Sequence, residues 1–302
     1  MSHDTSPSLS LSELIAILRP EHDLLNAAYS YSEELEVELP ASYGEDEEGA
    51  TAFEGAALAD LSGMTALLIT GAPATSFVEM ACAGRRLAVG EVAFSAVLAG
   101  DGSLVSIPLL ARTGDEEYLL WDLSPRAAVL QAWTAFLSNI EQGGVAPFEG
   151  LEINDVSTHL LPLLLAGSHA TDILQDYHAD ELPAAGHVAS LSLDRMSALV
   201  VGLPEEFASG FLVFISPQTA RVLWRSLLSF SLVVPVGWQT LQLWAQRCVD
   251  WYPLVRDTAR VVPRMDALRT WQLIRDDERF VGARSLAHTP ETSHDTHDKE
   301  FT

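Results

Sequence analysis

The chain has 302 residues, of which 48% are hydrophobic, enough for a substantial core in one large domain or two ordinary ones. With 42 acidic against 17 basic residues, its formal charge of -25 opposes phosphate backbones and anionic lipid, which argues against nucleic acid and membrane surfaces as partners. Every basic residue but Lys299 is arginine, and Lys299 stands in a polar tail. That excludes Schiff-base chemistry, P-loop nucleotide binding and a protein-kinase site, each of which needs a lysine held by ordered structure.

The flexible leader 1–9 precedes a capping-box pair, Ser10 and Glu13, and Leu11, Leu14, Ile15 and Leu18 follow at helical spacing. The pattern predicts a first helix ending near Pro20 and a second over 21–33. Leu35, Val37 and Leu39 then alternate with Glu36 and Glu38, which predicts a strand with one wet face. The stretch 42–56, SYGEDEEGATAFEGA, reads as a solvated, mobile acidic loop. From Thr65 to Leu123 the runs TALLIT, SFVEMACA, RLAVGEVAFSAVLA, SLVSIPLLA and EYLLWDL are separated by turn signals, and predict an antiparallel meander.

Ser124-Pro125 closes the meander as a cap and first helical residue, and Val129, Trp133, Phe136, Leu137 and Ile140 form the stripe of a helix stopped by Gly143-Gly144. Residues 150–182 read as mainly helical and 187–203 as strands. The phrase FLVFISPQTARVLW at 211–224 then repeats the logic of YLLWDLSPRAAVLQAW at 118–133, with Ser216 as cap and Pro217 as first helical residue. Helices near 238–252 and 264–277 carry Trp238, Trp244, Trp251 and Trp271, which read as core. The predicted class is α+β: an antiparallel sheet meander with flanking helices, two quasi-equivalent halves and a helical C-terminal segment. The divisions are a leader 1–9, an N-terminal half 10–149, a C-terminal half 150–283 with the Trp-rich helices, and a disordered tail 284–302.

Cys82 and Cys248 lie among apolar neighbours and do not form a CxxC pair, so they read as buried, reduced thiols. The start MSHDTSPSLS lacks a basic region followed by an apolar one, and Pro162 and Pro235 break the longest apolar stretches. A cytoplasmic protein without membrane insertion is the expectation. GxSxG, HExxH, DFG, GxGxxG and an EF-hand loop are absent. Ser124 and Ser216 are the serines a nucleophile search would select, yet capping accounts for both. Glu36/Glu38, Glu116/Glu117 and Glu205/Glu206 fall at strand faces or turns, where water holds them ionised.

One cluster has metal-ligand character. If Ser168 caps a helix, His169, Asp172 and Asp176 share a face and offer an imidazole and two carboxylates to a divalent ion. The competing account is that Ala170, Ile173, Leu174 and Tyr177 form the buried stripe and the polar three face water. His159, His169, His178 and His187 recur at intervals of nine or ten residues, but Pro162, Gly167, Pro183 and Gly186 interrupt any one helix that would align them. His288, His294 and His297 lie in the tail, where nothing preorganises them.

The segments RRLAVGEVAFSAVLAGDGSLVSIPLLARTGDEEYLLWDLSPRAAVLQAWTAFL and FLVFISPQTARVLWRSLL together resemble the actinobacterial EspG family. The resemblance implies a mixed sheet fold with quasi-twofold halves and a cytosolic chaperone for helical substrates of type VII secretion. The Trp-rich segment after the second phrase departs from that pattern. By elimination the residues also favour binding over catalysis: a non-enzymatic chaperone or adaptor, without cofactor, holding a helical protein partner against sheet residues 65–123 or 189–215. The alternatives are a metal-dependent hydrolase using His169, Asp172 and Asp176, and a structural subunit that oligomerises through its Trp-rich helices.

Overall fold

The computed structural model describes residues 9–44, 51–141, 143–207 and 209–287. The leader before residue 9, Lys299 and the tail histidines lie outside them, as do residues 45–50 of the acidic stretch.

Helix α1 (Leu11–Ala16) starts with the expected capping box: the Ser10 hydroxyl accepts from the Glu13 amide, and the Glu13 carboxylate accepts from Ser10 N at 2.7 Å. Helix α2 (Arg19–Leu24) is shorter than predicted. The chain leaves it through Asn26, in the left-handed region at φ 55°, and enters a hairpin of β1 (Ala28–Ser32) and β2 (Val37–Ser42). Within the acidic stretch, Ala52–Glu54 form a 3-10 turn that leads into β3 (Ala56–Asp60).

Two sheets organise the rest. The first has the order β10-β4-β9-β8-β5 and is antiparallel throughout, with β4 (Thr65–Thr70), β5 (Val92–Phe94), β8 (Leu109–Gly114), β9 (Glu117–Asp122) and β10 (Glu152–Asp155). A short ribbon of β6 (Val97–Leu98) and β7 (Leu104–Ser106) lies beside it in sequence. The second sheet has the order β12-β13-β14-β11-β3-β15, with β11 (Leu161–Ala166), β12 (Val188–Leu193), β13 (Met196–Gly202), β14 (Gly210–Ile215) and β15 (Val233–Pro235). Its pairings are antiparallel except that of β15 on β3.

The central strands are buried on both faces, and alternation sends their side chains into different layers. In β4, Leu67 and Ile69 pack with Phe77 and Val78 of α3 (Ala74–Ala81) and with Leu130 and Leu137 of α4 (Ala127–Ser138), while Ala66 faces the other way. In β14, Phe211, Val213 and Ile215 pack with α1, α5 (Ala170–Gln175) and α6 (Pro217–Leu227), while Leu212 and Phe214 enter the space between the sheets. The architecture is therefore α+β in four layers, helix–sheet–sheet–helix. The C-terminal segment, α7 (Trp238–Cys248), α8 (Met265–Thr270) and α9 (Ala283–Ala287), adds Leu241, Leu268 and Leu286 to the inter-sheet core.

The repeated phrases occupy equivalent places. The order β4-α3-β8-β9-α4 recurs as β11-α5-β13-β14-α6, and Trp121 and Phe214, near the ends of β9 and β14, stack at 4.8 Å across the sheets. The strand before each unit pairs in the other unit's sheet, β3 against β11 and β10 against β4.

Several local expectations change. Most of SFVEMACA belongs to α3, because Ala74, Phe77, Val78 and Ala81 make an i, i+3, i+4, i+7 stripe under the first sheet. Residues 150–182 hold β10 and β11 with only α5 helical, since LPLLLA is a two-face-buried strand, which short apolar runs do not distinguish from a helix. The helix near 264–277 is the single stretch Met265–Thr270.

Candidate functional site

The inter-sheet core is not completely filled. A cavity of about 170 Å³ lies between Leu109 and Trp121 of the first sheet and Leu164 and Leu212 of the second. Phe94, Phe207, Trp238, Trp244 and Trp251 complete an apolar, aromatic wall, with Phe94 against Trp251 at 4.9 Å and Phe207 against Trp244 at 5.4 Å. The Trp-rich helices thus pack as core and also close a cavity.

Its main polar feature comes from the first Ser-Pro phrase. Strand β9 ends at Asp122, which lines the cavity with Ser124. Ser124 N donates to Asp122 Oδ1 at 2.8 Å and Ser106 Oγ donates to Oδ2 at 2.5 Å. The two serine hydroxyls are 3.2 Å apart. Burial raises the Asp122 pKa above the usual carboxylate value, opposed by the Ser106 and Ser124 hydrogen bonds and by the Arg126 charge. Arg126 is itself buried; its Nη1 donates to the Leu104 carbonyl at 3.0 Å, its Nη2 to that of Ala259, and its Nε has no partner among the described residues. Burial lowers its pKa, against the opposing charges of Asp257 and Asp122. A desolvated carboxylate with a nearby guanidinium is suited to stabilising positive charge that develops in an apolar space.

The residues singled out in the sequence fall elsewhere, apart from Ser124. Ser124 accepts from Arg126 N at 3.2 Å in the turn, while α4 itself begins at Ala127. Ser216 stands at the N-cap of α6, but its hydroxyl bonds Gln218 and makes no cap hydrogen bond. His169 occupies the N-cap of α5, and Ser168 instead donates to the Glu54 carbonyl. His169 Nδ1 is 3.6 Å from Asp172, both side chains are open to solvent, and Asp176 ends the helix a turn later. Among the described residues no group of three or more His, Cys, Asp or Glu is placed to hold a metal ion. His178 and His187 bond the backbone carbonyls of Ser192 and Ala185. The paired glutamates are exposed. Cys82 is buried, and burial pushes its thiol up to about 12; Cys248 is half-buried.

Sequence reasoning does not single out Asp122, Ser106 or Arg126. The available signal is the spacing Asp-x-Ser, which among the described residues recurs at 60/62, 101/103, 122/124 and 155/157; in each of these the Asp carboxylate accepts the Ser amide.

Two units with exchanged strands, enclosing an apolar cavity with a buried carboxylate on its wall, define an α+β fold with a small-molecule-sized internal site. The chain belongs to the GCVT N-terminal domain family, whose model matches residues 22–243. It is 26% identical over 206 residues to an aminomethyltransferase of Rubrobacter xylanophilus, covering 67% of this chain and 52% of that protein. It is 27% identical over 213 residues to an aminomethyltransferase of Saccharopolyspora erythraea, covering 68% of this chain and 55% of that protein. The chain therefore spans about half the length of these curated relatives. In fold it is similar to the glycine cleavage system aminomethyltransferase T of Bartonella henselae, with a TM-score of 0.72 at 20% identity, covering 90% of this chain and 73% of that one.

These findings correct the functional expectations. The family match overturns the EspG resemblance, since strand–turn–helix phrases arise wherever a strand feeds a capped helix and carry no family by themselves. The non-enzymatic chaperone or adaptor reading falls with it, as do the hydrolase and structural-subunit alternatives, because the relatives are named as aminomethyltransferases. The structure supplies the physical reason. Strands of 65–123 and 189–215 pack against each other on their inner faces and carry helices on their outer ones, so neither presents a broad open face to a helical partner. Among the described residues no helix is long and apolar enough to cross a membrane.

Proposed function

We propose that this chain is an enzyme of the aminomethyltransferase type, which moves an aminomethyl group between two carriers at the inter-sheet cavity. The observation that carries the reading is Asp122, a buried carboxylate of raised pKa on the wall of an otherwise apolar cavity. In the transfer the aminomethyl carbon starts bonded to a donor atom X and ends bonded to an acceptor atom Y, which starts as Y–H. The C–X bond breaks, the C–Y bond forms, and a proton passes from Y to X, so the products are the aminomethylated acceptor and X–H. As C–X lengthens, the carbon–nitrogen unit takes on iminium character, and its positive charge is stabilised by a preorganised carboxylate in a water-poor site. Ser106 and Ser124 hold that carboxylate from both oxygens. A cooperating protein belongs to the same proposal, since the Bartonella protein is named as part of a glycine cleavage system.

The test uses a 13C-labelled aminomethyl thioether as donor and an aromatic amine as acceptor, with the aminomethylated amine followed by mass spectrometry. The parent chain is expected to accelerate transfer, and Asp122→Asn to lose about 100-fold or more, the usual scale for removing one electrostatic stabiliser. Transfer no faster than without protein, or undiminished in Asp122→Asn, would overturn the reading.

A further inference from the structure

Arg126 joins three segments at the site. It directly precedes α4, in the turn that carries Asp122 and Ser124, and its own amide donates to Ser124 Oγ at 3.2 Å. Its Nη1 holds the carbonyl of Leu104, the first residue of β7, and β7 ends in Ser106, whose hydroxyl donates to Asp122. Its Nη2 holds the carbonyl of Ala259. The backbone completes that junction, since Leu104 N donates to the Val261 carbonyl at 2.8 Å, and Arg260 pairs with Asp101 at 2.8 Å. Ala259 and Val261 lie beyond residue 243, where the family match ends, so this side of the junction is built from the chain's own C-terminal segment.

Two features separate Arg126 from a simple brace. Among the described residues it is the only buried arginine, and its Nε–H is buried without a partner there. A neutral donor can tie two carbonyls together, so those contacts do not by themselves offset the cost of burying a charge with one donor unsatisfied. The charge has a recipient in Asp122, on which it acts in the direction of ionisation, and Asp257 in turn favours the charged form of Arg126. The other titratable groups around them are the Arg260–Asp101 pair, Tyr252 on the cavity wall and, in the groove that shares Ser124 with the cavity, Tyr31, Glu34, Asp155 and His159.

We propose that Arg126 is the positioning residue of the transfer site: one guanidinium keeps β7, and with it Ser106, in place on Asp122 and supplies the positive charge that keeps this buried carboxylate ionised. The proposal rests on the reading of Asp122 as the electrostatic stabiliser and adds what holds it in the charged form. Burial works toward a protonated, neutral carboxyl, and a neutral carboxyl stabilises little iminium charge.

The full chain is labelled with 13C at its aspartate carboxyls, and the Asp122 signal is assigned by its loss in Asp122→Asn. Arg126→Gln, which keeps a donor and removes the charge, should raise the Asp122 titration by about one pH unit or more. Arg126→Lys, which keeps the charge but lacks the planar fork that spans two carbonyls, should leave it within about half a pH unit of the parent. The acid limb of the transfer rate should move with the carboxyl in Arg126→Gln and stay in place in Arg126→Lys. The remaining titratable groups are the same in all three proteins, so a shift belongs to Arg126. Equal titration in the parent and in folded Arg126→Gln, as for a purely structural brace, or equal shifts in the two variants, overturns the proposal. If neither variant folds, the parent decides: the 15Nε resonance of Arg126 should show a step at the Asp122 titration that is absent in Asp122→Asn, and no step overturns the proposal. Transfer undiminished in Asp122→Asn is a different failure, which removes the reading of the cavity and leaves the hold of Arg126 on Asp122 standing.

Discussion

Two strands of this protein end in the same turn, and the turns meet different fates. At Asp60-Leu61-Ser62 and at Asp122-Leu123-Ser124 a buried Asp accepts the amide and hydroxyl hydrogens of nearby serines. Over Asp60, however, α2 lays down His22, whose Nε2 is 3.0 Å from Oδ2 and whose Nδ1 is 2.7 Å from the Tyr43 hydroxyl. The imidazole is thus held at both ring nitrogens, by the Asp60 carboxylate and by the Tyr43 hydroxyl, whose pKa is raised by burial and by the Asp60 charge. Trp224, fully buried, closes the arrangement edge-on to the imidazole at 5.1 Å. Nothing comparable covers Asp122, which has serines, a nearby arginine and a cavity. One carboxylate is committed to joining the N-terminal arm to the second sheet, and the other remains on the wall of a site.

The sharpest test is to break the first carboxylate. Asp60→Ala strands the buried His22 N–H and the Ser62 groups, and is expected to cost about 3–5 kcal/mol, the scale for removing one member of a buried pair. In thermal unfolding that lowers Tm by on the order of 10 °C. A loss below about 1 kcal/mol would show that the relay is not what holds the arm. Tyr43→Phe removes only the outermost hydrogen bond and leaves Nδ1 without its partner, so a smaller loss of about 1–2 kcal/mol is expected in urea titration. Equal losses for the two variants would mean that the relay acts through packing and not through its hydrogen bonds.

The contrast between the turns also explains what the sequence could reveal. TALLIT, EYLLWDL and FLVFI announce strands because β-branched and aromatic runs are bounded by turn residues, and Ser10 with Glu13 announces a helix start, since these signals are local. The LPLLLA strand reads as a helix because six apolar residues buried on both faces have no usable period, and the α3 segment reads as a strand because its helical stripe starts at Ala74, ahead of the run SFVEMACA. Asp122 is hidden for a different reason. Its neighbours in the site, Ser106, Trp238 and Trp251, arrive from segments far away in the chain, and a lone Asp at a strand end looks like any turn residue. Burial, the property that sets it apart from the exposed glutamate pairs, belongs to the fold and not to its local sequence.

The smallest effect separates the two turns most cleanly, since it concerns a proton rather than a contact. Asp122→Asn keeps an acceptor for Ser124 N and offers Ser106 a new partner, so its stability should lie within about 1 kcal/mol of the parent. The sign of the difference should depend on pH. Burial raises the folded-state pKa of Asp122 above its ordinary value of 3.8, so the folded protein keeps that proton at pH values where the unfolded chain has lost it. The stability this gives is complete below the unfolded value and is lost as pH rises through the folded one. Asn has no proton to lose, so Asp122→Asn should gain on the parent from about pH 4 upward, by no more than about 1.4 kcal/mol per pH unit, and then level off. Urea titrations of both proteins across that range measure the gain. A flat difference would mean that Asp122 is ionised as readily in the fold as outside it, and the carboxylate on the cavity wall would then lack the desolvation on which its part in transfer depends.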